Sequence, residues 1–209
     1  ILDACGGKVL PLFETADTET AEAFASYMAK NGEYDVILAS GQTEALAAAW
    51  ETNSALRYAY LAGEITEENT VAKVARDTHT GGATIAILQP NDALDRAAAE
   101  YLQLRGIAAW LDSGKGTDEH NVRAAVDCGA NGVTVKDFDE AYALYEMVKE
   151  SDTVCIRKTF IVGHRGLPNK APENSKEGYL EAVEAGADAI ECDVNITKDG
   201  VLVSNHNGS

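Results

Sequence analysis

The sequence predicts an α/β protein, and its alternation of strands and helices favours a TIM (β/α)8 barrel. Short apolar segments rich in β-branched residues alternate along the chain with segments rich in Ala, Leu and Glu that have helical spacing. Six strand–helix units precede residue 150, and the segment after it contains two more strands. The chain has 209 residues, which is short for a fold that typically takes about 250.

The first 150 residues contain the six predicted strands, each an apolar run closed by a polar or turn residue. They are Val9–Glu14, Asp35–Ser40, Leu56–Ala62, Ala83–Gln89, Ile107–Asp112 and Gly132–Lys136. Helices are predicted between and after them because apolar residues recur three and four positions apart among strong helix formers. The predicted helices are Ala21–Lys30, Thr43–Glu51, Glu67–Asp77, Ala93–Arg105, Asp118–Cys128 and Asp139–Lys149.

The remaining segment predicts a strand, a loop, a helix and a second strand, which is a βαβ unit. Thr159–Gly163 is a short apolar run, and Ser175–Ala185 has helical spacing with an apolar stripe of Tyr179, Leu180 and Val183. Asn174 or Ser175 fits the start of this helix as a cap. Ala189–Thr197 then predicts the second strand. Six units and two make the eight that a barrel needs.

Two carboxylates lie close together in this last strand. Glu191 and Asp193 are two positions apart, so on a continuous strand they share one face. Two anions on one face repel unless a cation lies between them, and oxygen ligands favour Ca²⁺ or Mg²⁺ over zinc. The pair therefore predicts part of a metal site, while a solvated polar face is the alternative.

Histidines flank the carboxylates in the sequence. His164 and Arg165 follow the first predicted strand directly, and His206 follows the second. Arg165 offers a planar pair of donors suited to phosphate oxygens. Two histidines, an arginine and two carboxylates at the ends of successive strands are what metal-assisted phosphodiester chemistry requires. A lone histidine after a strand is otherwise an ordinary surface residue, and that alternative stays open.

Together these motifs resemble the N-terminal signature of the glycerophosphodiester phosphodiesterase family. The matching segments are His-Arg-Gly at 164–166, Pro-Glu-Asn-Ser at 172–175, Gly-Ala-Asp-Ala-Ile-Glu-Cys-Asp-Val at 186–194, Thr-Lys-Asp-Gly at 197–200, and a final histidine at 206. The resemblance implies that His164 and His206 are the acid and base, that Arg165 contacts phosphate, and that Glu191 and Asp193 bind the metal. Asn207 stands where the family has aspartate.

The first part of the chain is similar to the C-terminal portion of the same family. Its apolar run at 9–13 ends in Glu14, which the resemblance makes a further metal ligand beside Glu191 and Asp193. Ala16 stands at the position of the family's lysine. The resemblance also makes Trp110 a candidate for lining the substrate channel, although ordinary core packing is the alternative for a tryptophan in a strand.

The family order is therefore circularly shifted in this chain. Residues 1–150 resemble strands three to eight, and residues 159–209 resemble strands one and two. Such a chain arises either as a piece of a tandem protein or as a permutant. The short linker at 150–158 favours direct continuation of the sheet, so we expect residues 1–209 to form one closed or nearly closed phosphodiesterase-like barrel.

The composition restricts the classes of molecule that the protein is expected to bind. The formal net charge of -17 argues against nucleic acid or anionic membranes, because these recruit Lys and Arg, and it favours divalent cations. No apolar run approaches the about 20 residues of a membrane-spanning helix. The four cysteines lack metal or redox spacing, which favours free thiols and a reducing compartment, although localisation stays open. His79 and His120 are predicted to be surface residues, and the oligomeric state is not predicted.

Three functions remain open at this stage. The resemblance implies metal-dependent hydrolysis of a small-molecule glycerophosphodiester to glycerol 3-phosphate and an alcohol, with Ca²⁺ or Mg²⁺ as cofactor. The first alternative is a catalytically silent barrel with an eroded site, suggested by Ala16 and Asn207. The second is a related phosphodiesterase or transferase that acts on larger phospholipids by intramolecular attack.

Overall fold

A computed structural model of the protein describes residues 9–112, 117–149 and 161–206. The chain divides into two compact units, Ile1–Ile156 and Arg157–Ser209. No helix in these described ranges is both long enough and apolar enough to cross a bilayer. The predicted linker at 150–158, together with Cys5, Cys155 and Asn207, lies outside the described residues.

The first unit contains six strands, each followed by a helix. The strands are β1 (Leu12–Glu14), β2 (Ile37–Ser40), β3 (Arg57–Gly63), β4 (Ile85–Leu88), β5 (Ala108–Leu111) and β6 (Gly132–Val133). The helices are α1 (Thr18–Asn31), α2 (Thr43–Thr52), α3 (Val71–Thr80), α4 (Arg96–Gln103), α5 (Asp118–Cys128) and α6 (Phe138–Lys149). All twelve elements overlap the segments predicted from the sequence.

The six strands form one parallel sheet in the order β1-β2-β3-β4-β5-β6. Each strand is thus added beside the one before it, without the reversal of strand order that characterises doubly wound sheets. Sequential parallel strands joined by helices form the wall of a (β/α) barrel. The predicted α/β class of the TIM-barrel type is confirmed by this arrangement.

The two faces of the sheet have different neighbours. One face packs against the helices, where strand residues such as Leu38, Tyr58 and Leu88 join helix residues such as Ala25 and Leu46 in the main apolar core. The opposite face forms a second cluster that consists of strand residues alone. Its buried members are Ile37, Ala39, Ala59, Ile85 and Ile87. Alternation along the strands therefore places every helix of this core on one side of the sheet.

Helix α3 begins four residues later than the sequence predicts. The prediction began it at Glu67, but residues 67–69 belong to a turn in which Asn69 Nδ2 donates to the backbone oxygens of Ala62 and Glu64 at 2.9 and 2.8 Å. Thr70 then caps the helix, because its hydroxyl oxygen accepts from the amide of Lys73 at 3.2 Å. The asparagine holds the chain in a turn and the cap fixes the first helical residue.

The second unit contains four short strands and one helix. They are β7 (Val162–His164), α7 (Lys176–Glu184), β8 (Ala189–Glu191), β9 (Val194–Ile196) and β10 (Leu202–Ser204). Strands β7 and β8 pair in parallel around α7, as predicted for a βαβ unit, and β9 pairs with β10 in an antiparallel hairpin.

The prediction of one strand over Ala189–Thr197 is wrong. The strand ends at Glu191 and a new one begins at Val194, so Glu191 and Asp193 do not lie on one continuous strand. The break has a local cause, because the amide of Asp193 donates to the side chain of Asn174 at 3.0 Å instead of to a neighbouring strand. Side chain and backbone compete here for the same donor.

The apolar stripe predicted for α7 is also wrong in part. Leu180 and Val183 are more than half exposed, and the residues that this helix buries are Gly178 and Ala182. Gly166 must lack a side chain, because the backbone of Gly178 in this helix passes very close to it. A Cβ added at Gly166, which has φ +88°, lies 2.7 Å from the carbonyl oxygen of Gly178.

Candidate active site

His164 and Glu191 are the last residues of the paired strands β7 and β8, and they are register partners. The carboxyl ends of parallel strands lie at one edge of a sheet, so the pairing sets the two side chains beside each other. His164 Nε2 lies 3.9 Å from Glu191 Oε2, and the histidine side chain is 72 % exposed. The histidine is therefore accessible to a ligand and has an anion next to it.

Arg165 is tied into the same edge through its backbone and its side chain. Its amide donates to Glu191 Oε2 at 3.1 Å, with the residue in the left-handed region at φ 57°. Its guanidinium donates through Nη1 to Glu173 Oε2 at 3.0 Å, and Nε lies 3.2 Å from Asp193 Oδ2. The Nε contact lacks hydrogen-bond geometry and is an ion pair alone. Arg165 links three of the site's carboxylates.

Asp193 lies in the break between β8 and β9 and is held from two sides. Asn174 Nδ2 donates to Asp193 Oδ2 at 2.9 Å, while Asn174 Oδ1 accepts from the Asp193 amide at 3.0 Å. Arg165 approaches the same Oδ2 atom. The carboxylate is thus positioned by an amide group and a cation that come from the loop after β7.

The chain leading to His206 is attached to the same place. Ser204, the last residue of β10, directs its hydroxyl to the backbone oxygen of Asp193 at 3.3 Å, and the Asn205 amide donates to that oxygen at 3.2 Å. Tyr179 of α7 is bonded to Ser204 Oγ at 2.6 Å. His206 therefore follows directly on a segment that is hydrogen-bonded to Asp193.

The turn at 197–201 closes the β9–β10 hairpin. The Thr197 amide donates to the Val201 oxygen at 2.9 Å, and the Thr197 hydroxyl donates to the carboxylate of Asp199. That hydrogen bond and a backbone one hold the pKa of Asp199 below its ordinary value. Asp199 is thus a turn residue that shapes the hairpin carrying Ser204.

The carboxylates have the donor chemistry of a site for a hard divalent cation. Glu191 and Asp193 each give one oxygen to the contacts above, and among the described residues no donor pairs with Oε1 of Glu191 or Oδ1 of Asp193. Such all-oxygen sets fit Ca²⁺ or Mg²⁺. Within the described ranges, no group of three or more His, Cys, Asp or Glu side chains is arranged to hold a metal.

Two of the predicted site residues belong to the first unit. Glu14 ends β1 on the face opposite the helices, where it pairs in register with Ala39. Trp110 of β5 packs on that same face against the second apolar cluster, and its indole covers Gly132. Trp110 is partly buried, so both packing and an accessible surface apply to this residue. The structure brings together His164, Arg165, Glu191 and Asp193 within the second unit.

The roles of four residues of the site differ from what the sequence patterns predict or are not indicated by them. Asn174 was considered only as a helix cap, a role that Ser175 performs by accepting from the Gly178 amide at 3.0 Å. Tyr179 was assigned to an apolar stripe, and Glu173 and Ser204 were not singled out. The positive φ of Asn174, at 56°, was compatible with its residue type, since Asn adopts that region more easily than most residues.

The known proteins that match this chain in sequence align with the segment that carries the candidate site. The model of the glycerophosphoryl diester phosphodiesterase family matches residues 164–209. The resemblance to this family is therefore confirmed for the second unit. A glycerophosphodiester phosphodiesterase of Caldanaerobacter subterraneus is 49 % identical over 49 residues, which are 23 % of this chain and 20 % of that protein. One of Bacillus altitudinis is 46 % identical over 48 residues, which are 23 % of this chain and 20 % of that protein.

The chain thus spans about a fifth of the length of these curated relatives. Among solved structures, a protein of Silicibacter pomeroyi assigned as a glycerophosphoryl diester phosphodiesterase matches with a TM-score of 0.57 at 12 % identity, covering 72 % of this chain and 56 % of that one. The aldolase QR15 matches with a TM-score of 0.51 at 12 % identity, covering 87 % and 88 %. At such low identity these likenesses show the fold alone.

Proposed function

We propose that the protein hydrolyses glycerophosphodiesters to glycerol 3-phosphate and an alcohol, using His164 and His206 as acid and base and a divalent cation as cofactor. The observation that carries the proposal is the cluster at the ends of β7 and β8. There an exposed histidine, an arginine and two carboxylates lie together in a segment that matches the phosphodiesterase family.

Proton transfer is the task of the two histidines. One histidine takes the proton of the hydroxyl that attacks phosphorus, and the other gives a proton to the oxygen of the leaving alcohol. The complete reaction consumes one water molecule for each diester that is cleaved. The exposure of His164 makes its imidazole accessible to substrate, and its Nε2 lies 3.9 Å from Glu191 Oε2.

Charge on the phosphate is offset by Arg165 and by the cation. Nη1 and Nε of Arg165 face carboxylates, while Nη2 donates no hydrogen bond to another described residue and is the atom that we assign to a phosphate oxygen. Glu191 and Asp193 would hold Ca²⁺ or Mg²⁺ through their carboxylate oxygens. The chemistry that a cation held there would supply is polarisation of a phosphoryl oxygen.

The test is the release of glycerol 3-phosphate from glycerophosphocholine by the purified chain, with Ca²⁺, with Mg²⁺ and with chelator. We expect metal-dependent release that falls at least about a hundredfold in His164→Ala and in His206→Ala, since general acid–base catalysis contributes about 10²–10⁴-fold. His79→Ala is the matched control, because His79 is an exposed histidine on α3, as predicted.

Each result bears on one part of the proposal. Full activity in either histidine variant contradicts the two-histidine assignment. Release that persists in chelator contradicts the role of the cation. A folded sample that binds glycerophosphocholine without releasing glycerol 3-phosphate supports the catalytically silent alternative instead. A cyclic phosphate product from a lysophospholipid supports the alternative of intramolecular attack.

A further inference from the structure

Asn174 lies at the centre of the hydrogen bonds that hold the candidate site together. Its backbone amide donates to the carbonyl oxygen of Arg165 at 3.1 Å, which closes the loop after β7 onto the residue next to His164. Its side chain then reaches Asp193, 19 positions later, through both of its polar atoms. One residue thus joins the loop after β7 to the break between β8 and β9.

The two contacts to Asp193 differ in what they fix. The bond from Asn174 Nδ2 to Asp193 Oδ2 at 2.9 Å orients the carboxylate, whereas the bond from the Asp193 amide to Asn174 Oδ1 at 3.0 Å fixes the backbone. A carboxylate that is hydrogen-bonded in this way has little rotational freedom left.

Tyr179 and Ser204 extend this hydrogen bonding to the segment that carries His206. Tyr179 Oη donates to Asn174 Oδ1 at 3.3 Å and is bonded to Ser204 Oγ at 2.6 Å. Ser204 Oγ in turn approaches the backbone oxygen of Asp193 at 3.3 Å. Asn174, Tyr179, Ser204 and Asp193 are therefore connected by polar contacts that join α7, β10 and the break after β8.

We infer that Asn174 is a positioning residue for the cation site, and that Tyr179 and Ser204 support it. This inference rests on the proposed function and extends it to residues that contact neither the substrate nor the cation. Groups that hydrogen-bond to metal ligands typically change metal affinity or activity by about 10–100-fold when they are removed. Asn174 is such a group, because its side chain donates a hydrogen bond to the carboxylate of Asp193.

The test uses Asn174→Gly, because glycine keeps the backbone at φ 56° without strain and removes the side chain alone. Binding of Ca²⁺ and of Mg²⁺ to the full chain is measured by calorimetry, together with turnover of glycerophosphocholine. We expect the dissociation constant for the cation to rise about tenfold or more. Asn169→Gly is the matched control, since Asn169 is exposed in the same loop and has no hydrogen bond to Asp193 in the part of the chain that the structure describes.

Tyr179→Phe is the second variant, and it guards against a simple loss of fold. It removes one hydroxyl and keeps the aromatic ring, so we expect a smaller rise of the dissociation constant in the same direction. Circular dichroism of all variants should match that of the parent chain. Rescue of cation affinity in Asn174→Asp is not expected, because a second carboxylate would face Asp193 Oδ2 in place of the donating amide.

The outcomes separate this inference from the proposed function. If the parent chain binds the cation without turnover and Asn174→Gly weakens binding, the positioning role stands while the proposed hydrolysis fails. If Asn174→Gly binds the cation and turns over substrate like Asn169→Gly, the positioning role is overturned even though hydrolysis is supported. A parent chain that binds neither Ca²⁺ nor Mg²⁺ overturns the positioning role as well.

Discussion

Different interactions stabilise the interior of each of the two units of the chain, taken separately. In the first unit, Leu, Ile, Val and Ala side chains from the strands and from helices α1 to α5 dominate the apolar core. Among the described residues of the second unit, the buried positions are Gly166, Gly178 and Ala182, and large apolar side chains of its strands, such as Ile196 and Leu202, are exposed. A hydrophobic core stabilises the first unit, whereas close backbone contacts and polar networks shape the second.

Because of this difference, each unit should be destabilised by a different kind of substitution. Loss of apolar volume is costly in a close-packed core, because the transfer and cavity terms add. In the second unit, very little apolar surface is buried, so the arrangement of His164, Glu191 and Asp193 depends on individual hydrogen bonds and on residues that lack a Cβ.

The most damaging change that we expect is Gly166→Ala in the second unit. A non-glycine residue in a strained region of positive φ costs about 1–3 kcal/mol, and the added Cβ lies 2.7 Å from the carbonyl carbon and oxygen of Gly178. Hydrogen-exchange protection of residues 161–206 should therefore fall clearly. Protection equal to that of the parent chain would contradict the role of the close contact.

Gly186→Ala is the matched control for that change. Gly186 has φ +87°, almost the same as Gly166, but nothing lies within 4 Å of an added Cβ. It should therefore show the cost of the backbone conformation without the clash. Equal loss of protection in the two variants would show that backbone strain, and not the approach of Gly178, decides the effect.

A smaller effect is expected from Tyr58→Phe in the core of the first unit. The buried hydroxyl donates to the carbonyl oxygens of Ala49 and Asn53 at 2.8 and 2.7 Å, and burial raises the pKa of Tyr58 to about 12. We expect the free energy of unfolding to fall by about 1–2 kcal/mol, since a hydrogen bond contributes a net of about 1 kcal/mol. Denaturant unfolding measures this loss.

Tyr27→Phe is the control for Tyr58→Phe, because Tyr27 is an exposed tyrosine on α1. The pH dependence of the unfolding free energy gives a second test of the role of Tyr58. The pKa of Tyr58 is raised in the folded state, so its contribution to stability is fully present below its ordinary pKa of 10 and is lost as the pH rises towards about 12. Identical alkaline unfolding of Tyr58→Phe and the parent chain would refute this account.

The smallest effect is expected from Asp118→Asn at the start of α5. The Asp118 carboxylate accepts from the amides of Asp137 and Lys136, and these hydrogen bonds lower its pKa. A lowered folded pKa gives stability that is present above the ordinary pKa of 3.8 and is lost as the pH falls through the folded value. The difference in unfolding free energy between parent and variant should thus shrink below pH 3.8.

Asp92→Asn supplies the control, since Asp92 is exposed in the loop before α4. It should leave acid unfolding unchanged. If the difference in unfolding free energy between Asp118→Asn and the parent chain grew on acidification, its sign would be wrong. The hydrogen bonds of Asp118 would then be excluded as its cause.

Much of the fold could be predicted from the sequence, because local patterns encode it. The range of α5 agrees with the prediction at both ends, and Thr117 caps it by accepting from the His120 amide at 3.3 Å. Strand ends were less well predicted. Val9 and Leu10 belong to the apolar run before β1 but lie outside the strand, since β1 is only as long as its pairing with β2.

The candidate site was predicted in part for the same reason. His164, Arg165, Glu191 and Asp193 were chosen from motifs, and the structure brings them together because β7 and β8 pair in register. The closed barrel over residues 1–209 and the shifted strand order remain predictions, as do the roles of Glu14 and Trp110.

The sequence by itself determined the α/β class, the succession of strands and helices, and the residue types of the site, because periodicity and short motifs are local properties of the chain. Only the tertiary structure decided that Asn174 binds Asp193, that Arg165 pairs with Glu173, and that the strand breaks after Glu191. These contacts join residues 8 to 19 positions apart. These residues come within hydrogen-bonding distance because the backbone at Gly166 packs closely against the backbone at Gly178. A local sequence pattern does not predict this close packing.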